Sequence, residues 1–139
     1  MITELTGLDM ANASLLDESS AAAEALAMSY AIHNEKRKKF FLSKNIFPQS
    51  IEVIKTRAHG LDIELVIDEI PNFNWEKAEE YCGFLVQNPD NFGNFADLSE
   101  MINKLHESNV IVSIVADILS LTLFKTPGEM GADIAVGSV

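Results

Sequence analysis

Basic residues are scarce in this chain. Ten lysines and arginines stand against 21 acidic residues, a formal charge of −11, so it is poorly suited to a phosphate backbone and no nucleic acid partner is expected. Cysteine is scarcer still. Cys82 stands alone and cannot form an internal disulfide, which suits a reducing compartment. No apolar run approaches membrane-spanning length, and the start Met1-Ile2-Thr3-Glu4 has no basic leader region, so neither an anchor nor a signal peptide is expected. His33, His59, His106 and Cys82 lie in separate segments without the spacing of metal ligands. Missing as well are a GxxxxGKS/T phosphate loop, a GxGxxG after a strand and a GxSxG nucleophile turn. There is no internal repeat and no low-complexity linker.

What remains is 139 residues, 47% of them hydrophobic, enough for one domain that buries about two-thirds of its unfolded surface. A helix is expected over residues 19–33, with Ala23, Leu26, Ala27, Tyr30 and Ala31 as its inward stripe. Its many alanines bring the backbone close to whatever lies beneath. The Lys36-Arg37-Lys38-Lys39 run that follows reads as a solvated loop at the negative end of that helix.

A strand is expected at 39–43, then a helix near 48–59 with Pro48 in its first turn and Gly60 as its stop. Residues 61–68 alternate apolar with mostly polar side chains, the pattern of a strand covered chiefly on one face and suited to a sheet edge. A short helical stretch at 75–81 precedes an inner strand at 83–87, which Asn88-Pro89-Asp90 ends. The helix over 97–108 carries Leu98, Met101, Ile102 and Leu105 on one face, has the Asp97 to Glu100 spacing of a capping box, and is closed by Asn109.

Residues 110–116 form the strongest buried strand, continuous in β-branched side chains and broken by Asp117. A short helix or turn at 118–124 and a last strand at 132–137 complete the chain. Strands alternating with crossover-length helices predict right-handed βαβ units. The fold class is therefore α/β, a three-layer, mainly parallel sheet with helices on both faces, in one domain over 1–139 or part of a larger one.

Open parallel sheets bind ligands beyond the carboxyl ends of their strands. Those ends carry Ser43, Asp68, Asn88, Asp117 and Ser138, with Asn12 and Ser14 near the first helix. Polar residues there are also ordinary loop chemistry. Asp117 sits where burial shifts a carboxylate, or simply caps the turn after it. The Asp17-Glu18-Ser19-Ser20 turn caps the first helix and leaves amides facing a candidate anion site. Phe73, Trp75 and Phe92 read either as a satellite core or as an exposed patch for a partner.

The run LTGLDMANASLLDESSAAAEA resembles the N-terminal half of the glycine cleavage system P-protein family, pyridoxal-phosphate-dependent glycine dehydrogenases (decarboxylating). Pro48-Gln49-Ser50, Lys55-Thr56-Arg57-Ala58, Asn88-Pro89-Asp90, Ala116-Asp117-Ile118-Leu119, Lys125-Thr126-Pro127-Gly128-Glu129 and Gly131-Ala132-Asp133-Ile134-Ala135-Val136-Gly137-Ser138 follow in that family's order. The chain departs from the family pattern at Phe47 for a histidine, Ser19-Ser20 for Gly-Thr, Asn88 for an aromatic residue and Thr126 for a proline.

The resemblance implies part of the large domain of the type I pyridoxal-phosphate transferase fold. Its strand order would be 3-2-4-5-6-7-1, with strand 1 at residues 10–14 and strand 7 beyond Val139. It also implies a parent enzyme that decarboxylates glycine and passes the aminomethyl group to the lipoyl arm of the H-protein. Asp117 matches the partner of the pyridine nitrogen, and Ser19 and Ser20 match the phosphate cradle. With Asn12 and Ser14 they are candidate cofactor positions. None of the lysines matches the Schiff-base position, so the segment is expected to be inactive and without cofactor alone, and to work beside a catalytic C-terminal half. A piece without strand 7 is expected to be marginal, oligomeric or rearranged. The implied location is the cytoplasm, or the mitochondrial matrix in a eukaryote. The alternative is a non-catalytic αβ interaction module that binds a partner protein. A receiver-like small-molecule domain would need acidic clusters at two strand ends, where only Asp68 and Asp117 are available.

Overall fold

The computed structural model describes residues 18–88, 90, 92, 95–116 and 130–136. The helices are α1 (Glu18–Ile32), α2 (Pro48–Gly60) and α3 (Ser99–Glu107), and the strands are β1 (Lys39–Ser43), β2 (Glu64–Asp68), β3 (Tyr81–Gln87), β4 (Ile111–Val115) and β5 (Ile134–Val136). Short 3-10 turns at Ile70–Asn72 and Trp75–Glu80 join β2 to β3. All strand pairs are parallel, and the order is β2-β1-β3-β4-β5. Counted with a strand at 10–14 as the first, this is the 3-2-4-5-6 part of the expected order. The expected strand at 10–14, the helix or turn at 118–124 and the C-terminal end of the last strand at Gly137 lie outside the described residues, while that strand begins at Ile134 rather than at Ala132.

Two cores sit on opposite faces of the sheet. Ala22, Leu26, Phe40, Leu42, Ile54 and Leu85 join α1 and α2 to one face. On the other face Phe41, Phe73, Phe84, Ile102, Leu105 and Ile114 join α3 and the 3-10 turns. β3 is buried at all its positions because it lies inside the sheet and is covered on both faces. β2 is an edge strand, as expected, yet its cover is not one-sided: Leu65 and Ile67 pack toward one core and Val66 toward the other.

The sheet face of α1 differs from the expected stripe. Ala22, Ala25, Leu26 and Ser29 are its most buried residues, while Ala27 is half-buried and Ala31 is exposed. Small apolar residues surround this helix, so composition could not select its inward side. Gly60 is also not the left-handed stop of α2. Helical geometry continues to Leu61, and Asp62 takes the positive φ of 58° while Ile63 N–H donates to Ala58 O at 2.9 Å. Asn109 does close α3, at φ 59°. At the other end, the Asp97 carboxylate accepts from the Ser99 N–H at 3.0 Å, the first residue of that helix.

The basic run is not a simple solvated loop. Arg37 donates to Tyr81 O at 3.2 Å and to Ser108 O at 2.6 Å, tying the segment after α1 to the start of β3 and the end of α3. Lys39 begins β1 and pairs with Glu64 and Glu80, each at 3.5 Å. Neighbouring strands bring distant carboxylates to these cations, which no local pattern encodes.

His33 follows α1 with its Nε2 buried and without a hydrogen-bond partner. Burial, then the positive charge of Arg37, holds its pKa below 6.5 against an opposing bond with the Asn109 backbone. The folded state therefore prefers neutral His33, and its contribution is complete above 6.5 and is lost as pH falls below that value. His33→Gln is expected to flatten the acid side of the stability curve. Denaturant titrations across that range check this, and an unchanged slope would count against it.

Candidate functional site at the strand carboxyl ends

Parallel strands place their carboxyl ends together, so the residues leaving β1, β3 and β4 share one edge of the molecule. The first turns of α1 and α2 meet at this point. Ser19 Oγ lies 3.0 Å from Ser50 Oγ, joining two helix starts whose dipoles both present positive ends. Ser20, also in the first turn of α1, borders an open groove of about 510 Å³ between the two helices. That groove is lined by helix residues and the turn after α2, not by strand ends.

Gln87 went unremarked in the sequence. It ends β3 with only 7% of its surface exposed, and its Oε1 accepts the Phe47 N–H at 3.3 Å. Phe47 immediately precedes α2 and cannot cap it with its own side chain, so the amide side chain of a neighbouring strand serves instead. A lone polar residue closing the apolar run YCGFLVQ was the available signal. Ser50, buried in α2, was noticed only as a family marker.

The other strand-end residues divide by what holds them. Ser43 is buried at the end of β1. Asp68 Oδ1 accepts from Asn72 Nδ2 at 2.9 Å and from Glu69 N–H at 2.7 Å, and these bonds hold its carboxyl below the usual range. It organises the turn after β2. Asn88 receives the Ala96 N–H at 3.1 Å and donates to Ala96 O at 2.7 Å, closing the loop between them as a strand pair would. Asn12, Ser14, Asp117 and Ser138 lie outside the described residues.

Other chemistry is sparse at this edge. Lys44, just after β1, pairs with Glu69 at 3.6 Å. His106 Nε2 meets Asp133 at 2.8 Å, and the same carboxylate oxygen accepts the Val112 N–H, but Asp133 precedes β5 at the opposite end of the sheet. Burial pushes the Cys82 thiol up to about 11, which removes it as a nucleophile. Among the described residues no cluster of histidine, cysteine and acidic side chains could hold a metal. Phe73 and Trp75 belong to the core, with ring centroids 4.8 Å apart, whereas Phe92 is exposed.

Comparison with known proteins agrees with this architecture. A family model described as glycine cleavage system P-protein matches residues 1–139. The glycine dehydrogenase (decarboxylating), mitochondrial, of Flaveria anomala is 49% identical over 138 residues, covering 99% of this chain and 13% of the relative. The glycine dehydrogenase (decarboxylating) of Synechocystis sp. is 48% identical over 138 residues, 99% of this chain and 14% of its own length. The chain therefore spans about one-eighth to one-seventh of these relatives.

Among solved structures, a glycine decarboxylase (P-protein) of the glycine cleavage system in inhibitor-bound form superposes with a TM-score of 0.89. It is 32% identical, over 99% of this chain and 32% of that one. A cystathionine gamma synthase from Xanthomonas oryzae pv. oryzae shares the fold at a TM-score of 0.69 and 15% identity, with 98% and 35% of the two chains covered. The architecture is thus that of the large domain of type I pyridoxal-phosphate transferases, in part. Because that family model matches residues 1–139, the whole of the chain, the chain belongs to the glycine cleavage system P-protein family.

Proposed function

We propose that this chain is a segment of a glycine decarboxylase that works by position: it packs beside the reacting centre and forms a wall of its cleft. The observation that carries this reading is the family match over residues 1–139. The parent enzyme would remove carbon dioxide from glycine and pass the aminomethyl group to the lipoyl arm of the H-protein. When bound there, pyridoxal phosphate supplies the electron sink for that reaction. The interaction-module alternative is not favoured by a match of this extent.

The residues of this chain do the holding. The Ser19–Ser50 contact sets α1 against α2, and Gln87 anchors the start of α2 to the sheet. Asn12, Ser14, Ser19, Ser20 and Asp117 are the proposed pseudo-site positions. Covalent attachment of the cofactor needs a lysine amine, and no lysine of this chain matches the family's Schiff-base position; Lys44, the lysine just after β1, is paired with Glu69. No step is therefore routed through that group. The proposed setting is a soluble compartment, cytoplasm or mitochondrial matrix, with an oligomer or larger assembly covering what one segment leaves open. No described helix is long and apolar enough to cross a membrane.

Two measurements test the reading. Glycine decarboxylation by the catalytic half is expected to rise when this chain is supplied, and equal rates with and without it would contradict the proposal. Pyridoxal phosphate followed by borohydride is expected to leave no stoichiometric lysine adduct on the chain alone. A stoichiometric imine absorbance abolished by replacing one lysine would refute that.

A further inference from the structure

We propose that the outer face of α1, centred on Met28 and Ile32, together with the α1–α2 groove beside it, is the seat of the remaining polypeptide of the longer enzyme. This inference rests on the decarboxylase reading above. Residues 25–32 of α1 contain no charged side chain. A helix that is apolar on every side is ordinarily buried on every side, yet among the described residues α1 is covered only by the sheet and, along one flank, by α2, which leaves its outer face open. Met28 is 40% exposed and Ile32, one turn on, is 55% exposed. Val53, exposed on α2, lines the groove with Ala23. Three of the five large hydrophobic side chains exposed among the described residues thus lie on these two helices.

Charge distinguishes this face from the rest of an acidic molecule. The chain carries −11 overall, but the groove holds Glu24 and Arg57 paired with each other at 3.2 Å. Depletion of unbalanced charge around apolar anchors marks the centre of a protein interface. The occupant follows from length. The Flaveria relative devotes 13% of its chain to the matched region, and the solved glycine decarboxylase chain 32%. Most of such a polypeptide is available to cover an apolar helix, and an uncharged, apolar surface is the chemistry that fits here.

The test combines this chain with the remaining polypeptide, supplied separately. Peroxide oxidation of Met28 is expected to slow about tenfold in the complex, as a hot-spot side chain desolvated at an interface should. Met130, buried in the core, gives the slow reference. The double variant Met28→Glu, Ile32→Glu changes exposed side chains, so the free chain is expected to keep its melting curve while association weakens by ~30-fold or more. Unaltered association of that variant, together with Met28 of the unaltered chain still oxidised at the free rate in the complex, overturns the surface and leaves the decarboxylase reading standing. Failure of the unaltered chain to associate at all overturns both. Concentration-dependent self-association abolished by the double variant would make a second copy the occupant and overturn the proposal.

Discussion

Phe84→Ala is expected to remove about 3–5 kcal/mol of folding stability, the range for deleting a buried aromatic ring. Phe84 is fully buried near the middle of β3, a strand with neighbours on both sides. Its ring stacks on Phe41 with centroids 4.6 Å apart and meets Phe73 edge-on at 5.3 Å. Truncation therefore loses the transfer energy of the ring, two aromatic contacts, and the packing of Phe41 and Phe73 around the void. Domains of this size hold about 5–15 kcal/mol in total, so the variant would stand near the threshold of folding. Urea denaturation followed by far-ultraviolet circular dichroism gives the number. A loss below ~1 kcal/mol would show that the aromatic cluster collapses into the gap.

The second large effect concerns a residue with no side chain. A Cβ on Gly83 would stand 2.6 Å from Phe40 Cε2 and 2.8 Å from Ser29 Oγ. Neither neighbour is free to yield: Phe40 is fully buried, and the Ser29 hydroxyl donates to Ala25 O at 2.8 Å within α1. Alanine would gain about 0.5–1 kcal/mol over glycine from backbone entropy. Overpacking costs about 1–3 kcal/mol and wins. Gly83→Ala is expected to destabilise by about 1 kcal/mol net, with Gly83→Val worse. Pairing it with Ser29→Ala should recover part of the loss, and equal penalties with and without Ser29 would mean that Phe40 alone is the obstacle.

These two neighbours, Gly83 and Phe84, show how differently sequence and structure speak. The strand around them was legible because a buried inner strand must be apolar on both faces, and GFLVQ is apolar up to its last residue. The edge position of β2 was legible from its alternation. What the pattern did not contain was the reason for a glycine inside β3. That reason is the approach of Phe40 from β1 and Ser29 from α1, both distant in sequence, and periodicity reports only on a residue's own element.

The candidate site was legible in outline. Ser19 stood out as a helix start, and the structure brings it to Ser50 across a separation no spacing rule covers. Gln87 was passed over because its partner, the Phe47 N–H, becomes a neighbour only when β3 and α2 pack. Asn88 and Asp68 were drawn into the site by their positions after strands. Their hydrogen bonds instead make them braces of the local loops. Arg37 was assigned to water and serves as a tie between elements.

The sequence by itself determined the alternation of strands and helices, the identity of the inner and edge strands, and the family, because each depends on local periodicity or on motifs kept in order. The tertiary structure alone decided which side of α1 faces the sheet, which of the described polar residues at the strand ends are tied into local loops, and where an alanine-rich helix remains uncovered. The physical reason is that a nearly uniform small-residue helix has no preferred face until the sheet supplies one, and a hydrogen bond has no meaning until its partner arrives.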